Sequence, residues 1–381
     1  MSICAGAFML AACNGTTNSP SPPAPRPPGS PETVLHSFGS GSDGTYPQAG
    51  LINVNGTLYG TTAGGGAYVS LGTVYSITPS GTETVLYSFV LTDGANPYAG
   101  LLNVKGTFYG TTQYGGANDG GTAFSLTTSG AQTVLHSFGI GRSDGEGPSA
   151  GLINVNGALY GTTVGGGANN SGTVFKITSG GKYKLLYSFG KSLTDGSAPQ
   201  AGLVDVNGTL YGTTYGGGAE AFGTVFSISP FGKEAVLHSF GTLNDGTFPQ
   251  DGLLNVKGTL YGTTEYGGAS NVGTVFAITP GGAESVLYNF AGGSDGAQPR
   301  AGLIGAKGTL FGTTSEGGTS GKGTVFALTS GGTETVLYSF QGGTDGANPL
   351  AGLLNVGGTL YGTTYKGGAN GKGTVFSLTG F

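Results

Sequence analysis

Tryptophan is absent from this chain, and histidine and arginine occur three times each. Each scarcity removes a class of function. The histidines, His36, His136 and His238, occupy one equivalent position of a repeat. They are too few and too alike for a Ser-His-Asp triad or a His-rich metal site. Charged residues are 9% of the chain, its net charge is −5, and its few lysines are scattered. The basic footprint of a nucleic-acid binder is therefore missing. Both cysteines, Cys4 and Cys13, fall at the N-terminus, so no disulfide holds the remainder together. No apolar run reaches the roughly 18 residues that a membrane-crossing helix needs.

Glycine, by contrast, is 81 of 381 residues. It lacks a G-X-Y period, so the chain is not collagen-like. Hydrophobic residues make up 37%, with 19 Tyr and 20 Phe, which is ample for a packed core. Low-complexity disorder is not expected beyond the N-terminus.

The stretch AGLINVNGTLYGTT around Tyr59 returns around Tyr109, Tyr160, Tyr211, Tyr261, Phe311 and Tyr361. A fixed period of about 50 residues is the mark of an array built from one supersecondary unit. In the first copy, Leu51–Val54 and Thr57–Thr62 flank Asn55-Gly56, the strongest short hairpin signal, because a type I′ turn needs φ > 0 at both positions. The second turn residue is glycine in every copy. A third strand follows at Gly72–Thr78, and a fourth at Glu83–Phe89. We call these strands a, b, c and d. Four short antiparallel strands per repeat, apolar on both faces, predict an all-β fold, a seven-bladed β-propeller. A parallel β-helix is the rival, but its turns have no need of Asn-Gly hairpins.

The ends are out of register by one strand. A d-type segment, Val34–Phe38, precedes the first complete copy, and the chain stops at Phe381 after strand c of the last. Pairing of Val34–Phe38 with the strand around Gly373–Thr379 is predicted to complete the seventh blade. Such closure would hide the sheet edges that an open array exposes.

The pattern GLxNVxGTLYGTTxxGGxxxxGTVFxIxxxGxxxVLYSF resembles the GloVer tandem repeat of bacterial surface proteins, which join the repeat to differing anchors. The resemblance covers residues 32 to 381. The Gly-Gly after strand b is also similar to kelch blades, though the tryptophan of kelch is missing. The resemblance implies an exported repeat protein and carries over no catalytic residue.

Residues 1–13 form an apolar segment, and Leu10-Ala11-Ala12-Cys13 resembles the lipobox of bacterial lipoproteins, with Cys13 as lipid acceptor. No Lys or Arg precedes the apolar run. Residues 14–31 hold seven prolines, suited to an extended tether and unsuited to a sheet interior. The expected organisation is a signal segment (1–13), a linker (14–31) and a propeller (32–381). The expected location is the bacterial cell envelope, as a lipoprotein of the outer membrane or cell surface held by its lipid anchor.

Candidate chemistry is sparse. An aspartate followed by glycine recurs at Asp43, Asp93, Asp144, Asp195, Asp245, Asp295 and Asp345. Asp-Gly is turn chemistry, the carboxylate accepting nearby backbone N–H groups. The competing reading is an ion held by these loops, but each copy lacks a second and third acid close by in sequence. The histidines share their position with Tyr87, Tyr187, Tyr288 and Tyr338, which reads as a packing site with a polar tip. Irregular acids, which an enzyme would need paired, are Asp119, Glu146, Glu220, Asp251, Glu265 and Glu316. A catalytic site would break the repeat with such acids and an arginine in one sector, and only Arg26, Arg142 and Arg300 exist.

In an up-and-down blade the b–c and d–a loops share one face. Length changes fall there, and so do irregular side chains: Tyr68, Tyr114, Asn118, Asn170, Tyr215, Tyr266 and Tyr365. Loop variation on one face of an array is where binding usually evolves. The expectation is a monomeric, non-catalytic binding or scaffold module without cofactor, nucleic acid or metal, its ligand a glycan or a peptide. Two alternatives stay open: a carbohydrate-active lyase or hydrolase using carboxylates of this face, and a structural surface repeat without a specific ligand.

Overall fold

A computed structural model describes residues 32–68, 70–241 and 244–381. The expected signal segment, the Pro-rich stretch and Cys13 lie outside the described residues. Among the described residues no helix is long and apolar enough to cross a membrane.

Seven four-stranded antiparallel sheets are arranged around an axis, each in the order a-b-c-d. The first blade consists of Ile52–Val54, Thr57–Thr62, Thr73–Ile77 and Glu83–Ser88. Neighbouring a strands stand side by side around the axis, so a is innermost and d outermost. The a–b hairpins turn as the sequence requires: Asn55 and Gly56 have φ of 54° and 88°, and Gly357 and Gly358 have 61° and 93°.

The seventh sheet joins Leu354–Val356, Thr359–Thr364 and Thr374–Leu378 to the N-terminal strand Glu32–Ser37. Its register pairs Val34 with Phe376 and Ser37 with Thr374, with a bulge at Leu35. The Phe38 N–H donates to the Gly373 carbonyl at 3.0 Å. The ring is thus closed by its own ends, as the offset of the repeats predicts.

The core lies between blades. One cluster combines Val74 and Phe89 of the first blade with Leu101, Phe108, Phe124 and Leu126 of the second, all buried. Six equivalent clusters complete the circle. The glycine in TLYGTT has a steric cause. Gly262 lies opposite Phe276 of strand c, and a Cβ there would sit 2.5 Å from the tip of the ring.

Both threonines of the same motif are buried and employed. Thr62 Oγ1 is 2.8 Å from Thr73 Oγ1 within the blade. Thr61 Oγ1 donates to the Ala99 carbonyl of the next blade at 3.0 Å. The second link recurs at every interface and orients the segment that leads into strand a.

Candidate functional site in the axial cavity

Each blade enters strand a through a Pro-X-Ala-Gly segment, with Asp251 replacing the alanine in the fifth blade. Three contacts fix this segment. Its Ala or Asp carbonyl accepts the threonine hydroxyl of the preceding blade. Its proline closes on a glycine of that blade, as Pro97 does on Gly72. Its glycine abuts its counterpart next door, so that a Cβ at Gly50 would lie 3.2 Å from the Gly352 carbonyl oxygen. The seven glycines form a tight collar around the axis.

With both flanks fixed, the X side chains face a cavity of ≈ 680 Å³ above the collar. They are Gln48, Tyr98, Ser149, Gln200, Gln250, Arg300 and Leu350, and all seven line it. Gln113 and Val164, the residues directly after strand b in their blades, add to the wall. The cavity therefore opens on the face of the b–c and d–a loops. Two wall residues keep a buried polar atom without a hydrogen-bond partner, Ser149 Oγ and Arg300 Nε.

One sector departs from the sevenfold pattern. Glu265 is 2% exposed and accepts Arg300 Nη2 at 2.5 Å. Gln250 donates to the other Glu265 oxygen. Arg300 also donates to Gln298 Oε1 at 3.2 Å, and Gln298 to Glu316 Oε2 at 3.1 Å. Asp251 accepts the N–H groups of Gly252 and Gly302, each at 2.6 Å, bridging the fifth and sixth blades at the collar. Burial raises the Asp251 carboxyl above the ordinary range, while these two N–H groups pull it back. The fold thus gathers Asp251, Glu265, Glu316 and Arg300 from scattered sequence positions. Asp119 is turned into its own loop, accepting the Gly115 N–H at 3.0 Å, and Glu146 lines a separate cavity with Asn170.

None of the seven irregular loop residues lies on the axial wall. Tyr114 and Tyr365 stand beside Tyr98, whose hydroxyl is raised mainly by burial and further by these two neighbours. Tyr215 stands beside Glu265, Tyr266 and Arg300, and burial is the main reason its hydroxyl is raised. These four rim the cavity. Asn118 donates to the Ser137 carbonyl at 3.4 Å, Asn170 caps the Gly166 N–H at 3.1 Å, and Tyr68 stands exposed away from the axis. Sequence reading missed the X ring because one varying residue after each proline is quiet beside long variable loops.

The repeated aspartates face outward-lying strand d. Asp43 accepts His36 Nε2 at 2.9 Å and the Gly44 N–H at 2.6 Å. Asp93 accepts the Tyr87 hydroxyl at 2.6 Å. The same pairing holds Asp144 to His136, Asp195 to Tyr187, Asp245 to His238, Asp295 to Tyr288 and Asp345 to Tyr338. Histidine and tyrosine replace one another at this position because each offers a donor to the aspartate. The fold also supplies a second acid that the sequence did not place there. Glu83 and Glu284, from the next blade, converge on the Asp43 and Asp245 pairs.

A closed seven-bladed propeller with a polar axial cavity is the class this architecture defines. The model of the Gloeobacter/Verrucomicrobia repeat matches residues 26–208, 129–307 and 180–376, and the chain belongs to that family. A search of curated proteins gives no match. Among solved structures, a putative 6-phosphogluconolactonase from Bacteroides uniformis is similar at a TM-score of 0.50 and 14% identity, over 87% of this chain and 88% of that one. A puromycin-hydrolyzing peptidase of Mycobacterium tuberculosis is similar at 0.52 and 10%, over 87% of this chain; this chain spans 52% of the peptidase. At such identities the likeness is one of fold.

Proposed function

We propose that this protein is an exported, lipid-anchored binding module whose axial cavity takes a neutral, hydroxyl-rich ligand such as the end of a glycan chain. One observation carries the reading: along Pro-X-Ala-Gly, the residues that build the ring recur, while the residue facing the cavity varies among Gln, Tyr, Ser, Arg and Leu. Packing fixes the flanking positions and leaves this one free to vary, and its side chains turn into one polar cavity where a ligand can meet several of them at once. The wall is rich in amides, which donate and accept together, with Tyr98 as an apolar platform. Arg300 is matched by Glu265, so the wall offers a ligand little net charge. The amides of Gln48, Gln113 and Gln200 supply donors and acceptors for hydroxyl groups.

A glycan array probed with the purified ring tests this, followed by titration of captured glycans against Tyr98→Ala and Gln200→Ala. Capture weakened at least tenfold in both variants supports the axial site. Capture of nothing, or capture indifferent to both, overturns it. The convergence of Asp251, Glu265 and Arg300 favours one second reading, a lyase or hydrolase of the same glycan. Shortened products released by the wild type and abolished by Glu265→Gln would mark it.

A further inference from the structure

We propose that two of the seven blade interfaces are divalent-cation sites of zinc type, formed by His36, Asp43 and Glu83 and by His238, Asp245 and Glu284. In each set one ligand atom per residue lies within 4.8 Å of the other two. The three come from different parts of the ring. The histidine is on strand d of one blade, the aspartate is in the loop leaving it, and the glutamate opens strand d of the next. A cation held there would clasp two blades.

The donor set suits zinc, which takes imidazole nitrogen and carboxylate oxygen with water in a remaining position. Glu83 Oε1 and Glu284 Oε1 are each shut away from solvent without a hydrogen-bond partner, as is the equivalent oxygen of Glu32, Glu234 and Glu334. What sets the two sites apart is the histidine beside them. Among the described residues, no lysine or arginine pairs with these carboxylates. Two acids therefore face each other with an imidazole, and no paired lysine or arginine, beside them. His36 Nε2 and Asp43 Oδ2 are 2.9 Å apart, and His238 Nε2 and Asp245 Oδ2 are 3.0 Å apart. With bonds of about 2.0–2.1 Å a tetrahedral zinc needs roughly 3.3 Å between ligands, so the His–Asp pair has to part slightly and the glutamate, within 4.8 Å, has to settle to that spacing.

The other interfaces are built-in controls. Asp295 and Glu334 meet Tyr288, and Asp345 and Glu32 meet Tyr338, where a phenol hydroxyl donates to the aspartate. A protonated phenol is no zinc ligand, so these interfaces, whose Glu334 and Glu32 Oε1 are also buried without a hydrogen-bond partner, lack the third donor. Asp144 meets His136, but the glutamate is replaced by Tyr183, stacked on the imidazole at 4.0 Å. A full set of histidine and two acids is thus present only twice among the described residues.

The test uses the full chain carrying Cys4→Ser and Cys13→Ser, so that thiols do not compete, freed of metal by a chelator. Zinc alone is titrated calorimetrically, with thermal melting in parallel. Two equivalents should bind and raise the melting temperature. His36→Tyr and His238→Tyr, which copy the residue natural to four other blades, should each remove one equivalent and leave the metal-free melting temperature unchanged. Tyr288→His, beside Asp295 and Glu334, should add a third. No stoichiometric binding, or two equivalents retained by the double His→Tyr variant, would overturn the proposal.

Discussion

Thr363 Oγ1 donates to the Ala49 carbonyl at 3.2 Å, joining the last blade to the first across 314 positions of sequence. The same bond links every consecutive pair of blades, so the two ends of the chain meet by the rule that governs its middle. Thr363→Val keeps the shape and strands a buried carbonyl, at a cost of about 1–3 kcal/mol. Removing residues 32–40 takes away the whole closing strand and exposes the edge of Thr374–Leu378. Calorimetry should show a modest loss for the first and a large one for the second, with oligomers in the elution profile of the truncation alone. Unchanged melting of the truncated chain would contradict closure by this strand.

Glycine within strand b is fixed by the aromatic ring opposite. Gly262→Ala places a methyl group 2.5 Å from the tip of Phe276, in a core with no slack. A destabilisation of about 1–3 kcal/mol is expected in denaturant titration. The paired variant Gly262→Ala with Phe276→Leu should recover part of it, since the obstructing ring is gone.

Burial together with Asp295 raises the Glu334 carboxyl to about 8, and burial together with Asp345 raises Glu32 to about 8. Folding therefore favours the protonated acid. The stability this contributes is complete below the ordinary glutamate range and is lost as pH rises through about 8. Melting temperature should fall across that window. Glu334→Gln should flatten the fall, because an amide needs no proton; Gln132 already occupies the equivalent position in the second blade. A profile as steep in the variant as in the wild type would assign the pH dependence elsewhere.

The architecture was legible because its determinants are local and repeated. The Asn55-Gly56 hairpin, the four strands per repeat and the spare d strand at Val34 all read directly from spacing, whereas the need for the strand b glycine beneath the strand c ring did not. The site was less legible because it is made by convergence. Asp251, Glu265 and Arg300 are irregular residues in sequence, and only the circular order of the blades brings them to one sector of one cavity. Glu83 reaches Asp43 for the same reason, across a blade boundary that sequence spacing does not display. The conspicuous tyrosines drew attention to the rim, since long loops advertise variation more loudly than a single residue held between a proline and an alanine.

The tether is tested separately from the ring. Leu10-Ala11-Ala12-Cys13 precedes a proline-rich linker, and Cys13→Ala should move the protein from the membrane to the soluble fraction of its native host. Intact mass should show the missing acyl groups. An unmodified Cys13 in the wild type would end the anchor proposal without touching the cavity.

Asp251 separates structure from function most sharply. Six blades carry alanine at this position, and their collar glycines pack without help. In the fifth blade the carboxylate collects two backbone N–H groups yet is raised by burial, so desolvation outweighs the hydrogen bonds it receives. A raised acid is one whose charged form the fold disfavours, and its stabilising effect fades as pH climbs past the ordinary aspartate range. Asp251→Ala restores the repeat and removes that liability. Its melting temperature at neutral pH should equal or exceed that of the wild type, while glycan capture or turnover at the axial cavity weakens. A stability gain coupled to a functional loss is the pattern of a residue kept for its chemistry. A marked drop in melting temperature would instead make Asp251 a brace between the fifth and sixth blades.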